Sequence, residues 1–255
     1  MPVIDTHSHI YSEEFDADRD ETISRARNAG VSKIILSNID SDSLPRMLDT
    51  ETRYPDFCFS TIGLHPTSVN ADYTKELALL ESELRRRKYL AIGEIGIDLY
   101  WDKTFYNEQI IALQTQAEWS LVYNLPIIIH IRNSHQETIQ ALQPFKDKGL
   151  KGVFHCFTGT EAEATEIFDL GDFKLGIGGV VTFKNSGLAE NLKNIPLEKL
   201  VLETDSPYLA PTPYRGKRNE PSYIALVRDK LAEVYDVSTE DIDKITDRNA
   251  EELFF

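Results

Sequence analysis

Five of the six histidines in the chain stand at or just beyond the ends of short apolar runs. His7 and His9 follow PVID, His65 closes FCFSTIGLH, His130 lies in PIIIHI and His155 in GVFHCF. Two carboxylates share that placement, Glu94 in YLAIGEIG and Asp205 in KLVLETD. Imidazole and carboxylate donors suit Zn2+, Mn2+ or Fe2+, and a carboxylate-rich set also accepts Mg2+. Strand residues two apart point the same way, so His7 and His9 can chelate one ion. Taken singly, a buried histidine is more often a hydrogen-bonded core residue than a ligand. Six donors on the same end of separate strands (His7, His9, Glu94, His130, His155 and Asp205) are not expected by chance.

Such a set needs elements that bring strand ends together. Eight apolar runs, at 2–7, 33–38, 57–65, 89–96, 126–131, 152–157, 173–179 and 199–205, mostly lack polar alternation, as expected for parallel strands covered on both faces. Helical periodicity fills segments 16–30, 74–88, 107–124, 224–236 and 238–254. In 107–124 it predicts one stripe through Ile110, Leu113, Ala117, Leu121 and Val122. Eight βα units in a chain of 255 residues predict an α/β fold of the (β/α)8 TIM-barrel type, a single domain over 1–255. A doubly wound sheet is the runner-up, but no G-x-G-x-x-G follows any run. In a barrel the loops after the strands build the site. His130 and His155, from neighbouring strands, could then hold a second metal beside that of His7 and His9. Glu94 could bridge the two, and Asp205 on the last strand would join the His7/His9 metal. Two ions a few ångströms apart can share a water, lower its pKa and neutralise an oxyanion.

Other residues read as support or as substrate contacts. Glu203 and Asp5 precede Asp205 and His7 by two, which predicts a place behind the donors. Asp205 is the candidate base, with Glu94 and Glu203 beside it. His65 could contact phosphate or support Glu94, and the Arg132 guanidinium could fork onto phosphate. The stretch PTPYRGKRNEP (211–221) is a local basic patch. There Arg215, Lys217, Arg218 and Asn219 are candidate substrate contacts and Tyr214 a stacking face. Tyr100 and Trp101 are further stacking candidates. His135 reads as a helix-start residue, and Cys156 as packing against a helix, turned away from His155.

The formal net charge of −15 argues against a broad grip on duplex nucleic acid, leaving local contacts. The opening segment is too short and polar for a secretion leader, and no stretch reaches the roughly 18–20 apolar residues of a membrane span. Cys58 and Cys156 are too few for a disulfide framework, so no disulfide-linked partner and a cytoplasmic location are expected. Oligomeric state is left open.

The ordered segments IDTHSH, GLHP, GEIGID, PIIIHIR, HCFTG, LVLETDSP and PTPYRGKRNEP, from residue 4 to residue 221, resemble the TatD family of metal-dependent deoxyribonucleases. The resemblance implies a TIM-type barrel, two divalent ions (Mg2+, Mn2+ or Zn2+) and hydrolysis of DNA phosphodiester bonds by a metal-activated water. The acidic charge favours single-stranded or frayed ends, and the resemblance implies an exonuclease. His7, His9, Glu94, His130, His155 and Asp205 match the family's ligand positions. The chain departs from the family pattern at Ile10-Tyr11 and Asn133-Ser134, where substrate contacts are the expected casualty. A different class remains open: an amidohydrolase of small molecules, or a deacylase of aminoacyl-tRNA, using the same metals on a carbonyl.

Overall fold

The computed structural model describes residues 2–255. Strands and helices alternate as β1 (Val3–Ser8), α1 (Arg19–Asn28), β2 (Val31–Leu36), α2 (Leu44–Arg53), β3 (Cys58–Ser60), α3 (Tyr73–Arg86), β4 (Ile92–Asp98), α4 (Tyr106–Tyr123) and β5 (Ile127–Arg132). There follow α5 (His135–Leu142), β6 (Lys151–Phe154), α6 (Glu161–Phe168), β7 (Asp172–Ile177), α7 (Leu188–Leu192), β8 (Leu200–Leu202), α8 (Ile224–Tyr235) and α9 (Thr239–Phe254). All pairing is parallel and in chain order, in arcs β1–β3 and β4–β8. Parallel bridges Ile62↔Ile92 and Ser8↔Ser206 join the arcs at both seams, so the ring closes as a (β/α)8 barrel. β3 and β8 are shorter than the runs at 57–65 and 199–205, and irregular backbone carries their last residues to the mouth.

Two apolar clusters explain the closure. The larger packs helices onto the outside of the strands. The smaller joins Ile4, Ile35, Ile128, Val153 and Val201, from β1, β2, β5, β6 and β8, to Ala250, Leu253 and Phe254 of α9. Strands that are not neighbours meet only across the lumen, so this cluster fills the barrel interior, with α9 packed against it. Ser238 starts α9 by accepting Asp241 N at 3.1 Å.

The stripe expected on α4 needs one correction. Leu113 and Ala117 are buried, but Val122 is 77% exposed. It lies nine residues from Leu113, two and a half turns, and so faces the other way. The buried face continues instead through Gln109, Gln116 and Ser120. Gln116 Oε1 accepts Leu64 N at 2.7 Å and Gln109 Oε1 accepts Asp98 N at 2.9 Å. These amides satisfy backbone that leaves the sheet on the way to the site.

Candidate metal centre

At the mouth, donors from β1, β5 and the end of β6 converge on Glu94 of β4, with Asp205 beside the β1 pair. Its Oε2 lies 3.1 Å from His7 Nε2 and 3.5 Å from His9 Nε2. The two histidine nitrogens are 3.2 Å apart, and Asp205 Oδ1 is 3.8 and 3.7 Å from them. The other oxygen, Oε1, lies 2.9 Å from His130 Nδ1 and 2.8 Å from His155 Nε2, which are 3.3 Å from each other. Donors bound at about 2.1 Å to one ion stand roughly 3.0–3.4 Å apart in octahedral or tetrahedral geometry. Both sets have close to that spacing, and one carboxylate joins them.

The protons support the same reading. Tyr11 Oη donates to Ser37 O at 2.7 Å and so accepts from His9 Nδ1 at 3.3 Å. That leaves the Nε2 lone pair of His9 facing His7 and Glu94. Burial holds His7 well below its ordinary value and His9 at about 4, so both rings are neutral. Against burial, which opposes it, the charge of His155 above all holds Glu94 anionic. Unprotonated donors this close repel one another unless a cation lies between them. On the other side, and again against burial, Asp98 and Glu94 hold His130 up, and Glu94 and Glu203 hold His155 well up. Burial pushes Asp205 up to about 7. Protons there carry positive charge that divalent ions would otherwise supply. The donor set therefore fits divalent metal.

Residues behind the donors fix their orientation. Ser37 Oγ is 3.0 Å from His7 Nδ1. Asp98 Oδ2 takes His130 Nε2 at 3.0 Å. Glu203 is fully buried, accepts Cys156 N at 2.6 Å and has Oε1 3.7 Å from His155 Nδ1. Asp5 contacts no donor side chain. It accepts Thr204 N and Oγ1 at 2.9 and 2.6 Å and His7 N at 3.3 Å, tying β1 to the segment after β8. His65 Nδ1 accepts Thr67 N at 3.1 Å, and burial keeps the ring neutral, so Nε2–H donates to Glu94 Oε1 at 3.2 Å. His65 thus meets Glu94 and also lines the central cavity.

The remaining candidates separate. Arg132 is exposed beside the donors, its guanidinium 4.0 Å from the Tyr100 ring and 5.2 Å from that of Trp101. Arg215 lies exposed over Phe183, and Lys217 is exposed near Tyr214. Three readings are corrected. Arg218 is engaged elsewhere: both its NH groups bind Asp18 at 2.7 Å, and it also donates to Glu14 O. Asn219 is fully buried and donates to Thr204 O and Tyr208 O, each at 2.7 Å, so it holds the turn after β8 and offers substrate nothing. Cys156 follows the end of β6 with a φ of 49°, which breaks the alternation, and it lines the central cavity. One face of Tyr214 is stacked on Tyr223 at 4.2 Å. His135 begins α5 and meets Glu166 at 2.8 Å. Nothing in residue type alone marks Ser37 and Tyr11 as supporting groups, whereas Asp98, the aspartate that ends GEIGID four residues past Glu94, carries a sequence signal for such a role.

A closed (β/α)8 barrel with a carboxylate-bridged histidine cluster at the strand ends defines a metal-dependent hydrolase. The family described as TatD related DNase matches residues 4–255. The chain belongs to that family and, as a metal-dependent nuclease, takes a divalent metal cofactor. It is 37% identical to the metal-dependent hydrolase YabD of Bacillus subtilis (strain 168), over 99% of this chain and 98% of that one. It is 32% identical to the 3′-5′ ssDNA/RNA exonuclease TatD of Pantoea ananatis, over 99% of each. The crystal structure of YjjV, a TatD homologue from Escherichia coli K12, superposes with a TM-score of 0.92 at 30% identity, covering 99% of this chain and 97% of that one. No helix among the described residues is long and apolar enough to cross a membrane.

Proposed function

We propose that this chain is a two-metal exonuclease that removes nucleotides from the 3′ ends of single-stranded or frayed DNA. The observation that carries it is Glu94, whose two oxygens face two separate donor sets. We assign His7, His9 and Asp205 to one ion, His130 and His155 to the other, and Glu94 to both. The named activity of the Pantoea relative supports the polarity and leaves RNA as a second polymer to test.

Bound divalent ions supply an acidified water and neutralise charge building on the phosphate oxygens. The protein's own groups do the rest. Asp205 Oδ1, beside the His7/His9 set, takes the proton of the attacking water. Glu203 stands behind His155 and keeps its ring aimed at the cluster. Arg132, held by two aromatic rings, binds a non-bridging phosphate oxygen. Arg215 and Lys217 follow the strand further out. An amidohydrolase or aminoacyl-tRNA deacylase would use the same donors, but the exposed guanidinium and rings at the mouth favour a phosphate-linked polymer.

The test is cleavage of single- and double-stranded DNA and of RNA, labelled at either end, with Mg2+, Mn2+, Zn2+ or EDTA. Metal-dependent shortening of single strands from the 3′ end is expected, with duplex cut more slowly. Folded protein that cuts none of these with any metal overturns the reading, and shortening from the 5′ end overturns the polarity.

A further inference from the structure

We infer that the mouth contains a slot for one unstacked nucleobase, formed by Trp101 on one side and the Tyr208–Leu209 turn on the other. This rests on the nuclease reading and names what that site grips besides phosphate. Among the described residues, four aromatic side chains are strongly exposed: Tyr100 (52%), Trp101 (68%), Tyr208 (49%) and the last residue, Phe255. Three of the four flank the metal donors, and Leu209 (42%) stands beside Tyr208. Tyr100 and Trp101 follow β4, and Tyr208 and Leu209 follow β8. Those strands are four apart in a ring of eight, so the two walls face each other across the mouth. Trp101, Tyr208 and Leu209 line one cavity of about 690 Å3 together with His9, Glu94 and Asp205.

Both walls are built. Asp98 Oδ1 accepts Tyr100 N at 2.9 Å and Trp101 N at 3.2 Å, while its Oδ2 holds His130. One carboxylate thus sets the wall and a metal donor in register. The Tyr100 and Trp101 rings meet at 89°, with Arg132 against both. Opposite, Asn219 holds Tyr208 O, and its N–H donates to Pro207 O at 2.9 Å. Leu209 O lies against Gly179, where a Cβ would come within 2.2 Å. Exposed apolar rings on rigid backbone beside a phosphate-cutting centre form a stacking platform for a base. A base stacked on these rings has given up its own helical stack, so a terminal base enters only after leaving its stack and partner. Single strands meet that condition without melting. Stacking reads the face common to all bases, so little sequence preference follows.

The experiment compares a normal single-stranded 3′ end with one whose terminal nucleotides are abasic. Wild-type enzyme should cut the normal end at least tenfold faster in kcat/KM. Trp101→Ala should bring that ratio close to one with metal content unchanged by elemental analysis, and Trp101→Phe should restore much of it. Binding is read separately. Of the two tryptophans, Trp119 is buried at 7%, so Trp101 fluorescence should quench when normal single-stranded DNA is added in EDTA, and less with abasic DNA. Equal wild-type rates on both ends, or a ratio untouched by Trp101→Ala, overturns the slot while leaving the nuclease reading standing. Failure to cut any DNA removes the reading beneath it.

Discussion

His9 is useful as a donor only if its Nε2 is free of a proton, and Tyr11 decides that. The phenol gives its own hydrogen to Ser37 O and can only accept from Nδ1. Tyr11 is also where the chain leaves its family's pattern, a departure expected to alter substrate contacts. It is instead 2% exposed, behind the ligand. Tyr11→Phe keeps the ring and its packing and removes the acceptor. Apparent metal affinity should fall about tenfold or more, the usual cost of losing such a partner. Competition with a chelating dye measures it, and an unchanged affinity would show that packing alone orients His9. The candidate donors were legible in the sequence because strand ends and residue types mark them. Their partners were not: Ser37 and Asp98 acquire roles only when neighbouring strands bring them against a ring nitrogen, and Tyr11 only when the turn after β1 sets it on His9.

Strict alternation along β1 conflicts with what its side chains do. Ile4 faces the lumen, so a regular strand would turn His7 outward. The register resolves this: Asp5 pairs with Ile34 and Ser8 with Leu36, three steps on β1 against two on β2. The same irregularity recurs on β4, where Ile92 pairs with Ile127 and Ile95 with Ile129. Both strands bulge at or just before their donors, and a bulge re-aims the side chains beyond it. The eight strands were legible because burial on both faces leaves apolar runs. The bulges were not, since an extra residue shows only against its partner strand. A second device at this scale is Gly176 on β7, where a Cβ would sit 2.1 Å from Glu203 Oε2 and 3.0 Å from His155 Cα. Gly176→Ala must displace the Glu203 carboxylate, and kcat should fall at least tenfold with a lower Tm. Gly178→Ala brings its nearest contact, Glu203 Cγ, to an ordinary 3.5 Å and should stay within about twofold of wild type. Equal effects of the two substitutions would remove Glu203 from the argument.

For the whole molecule the question is how a chain of net charge −15 holds a polyanion. The mouth cations assigned as phosphate contacts, Arg132, Arg215 and Lys217, make no ion pair among the described residues, whereas Arg218 is neutralised by Asp18. Its guanidinium holds the Asp18 carboxyl well below the usual range and ties the loop after β8 to the start of α1. Each phosphate contact on single-stranded nucleic acid contributes about 0.7 to the slope of log affinity against log salt. Three contacts predict a slope near −2, or about a twentyfold loss between 50 and 200 mM salt. A protein with a wide basic footprint loses roughly 10³–10⁵ over that range on duplex DNA. Arg215→Ala with Lys217→Ala should flatten the slope by about 1.4. Arg218→Ala should leave it unchanged and lower Tm instead, by about 2–4 °C for each kcal/mol lost in a chain of this size. Fluorescence anisotropy of labelled single-stranded DNA, titrated across salt in EDTA, gives the slopes, and thermal melts give the stability. A wild-type slope steeper than about −4 would mean a basic footprint larger than the mouth provides. A flatter slope in Arg218→Ala would return that residue to the substrate path.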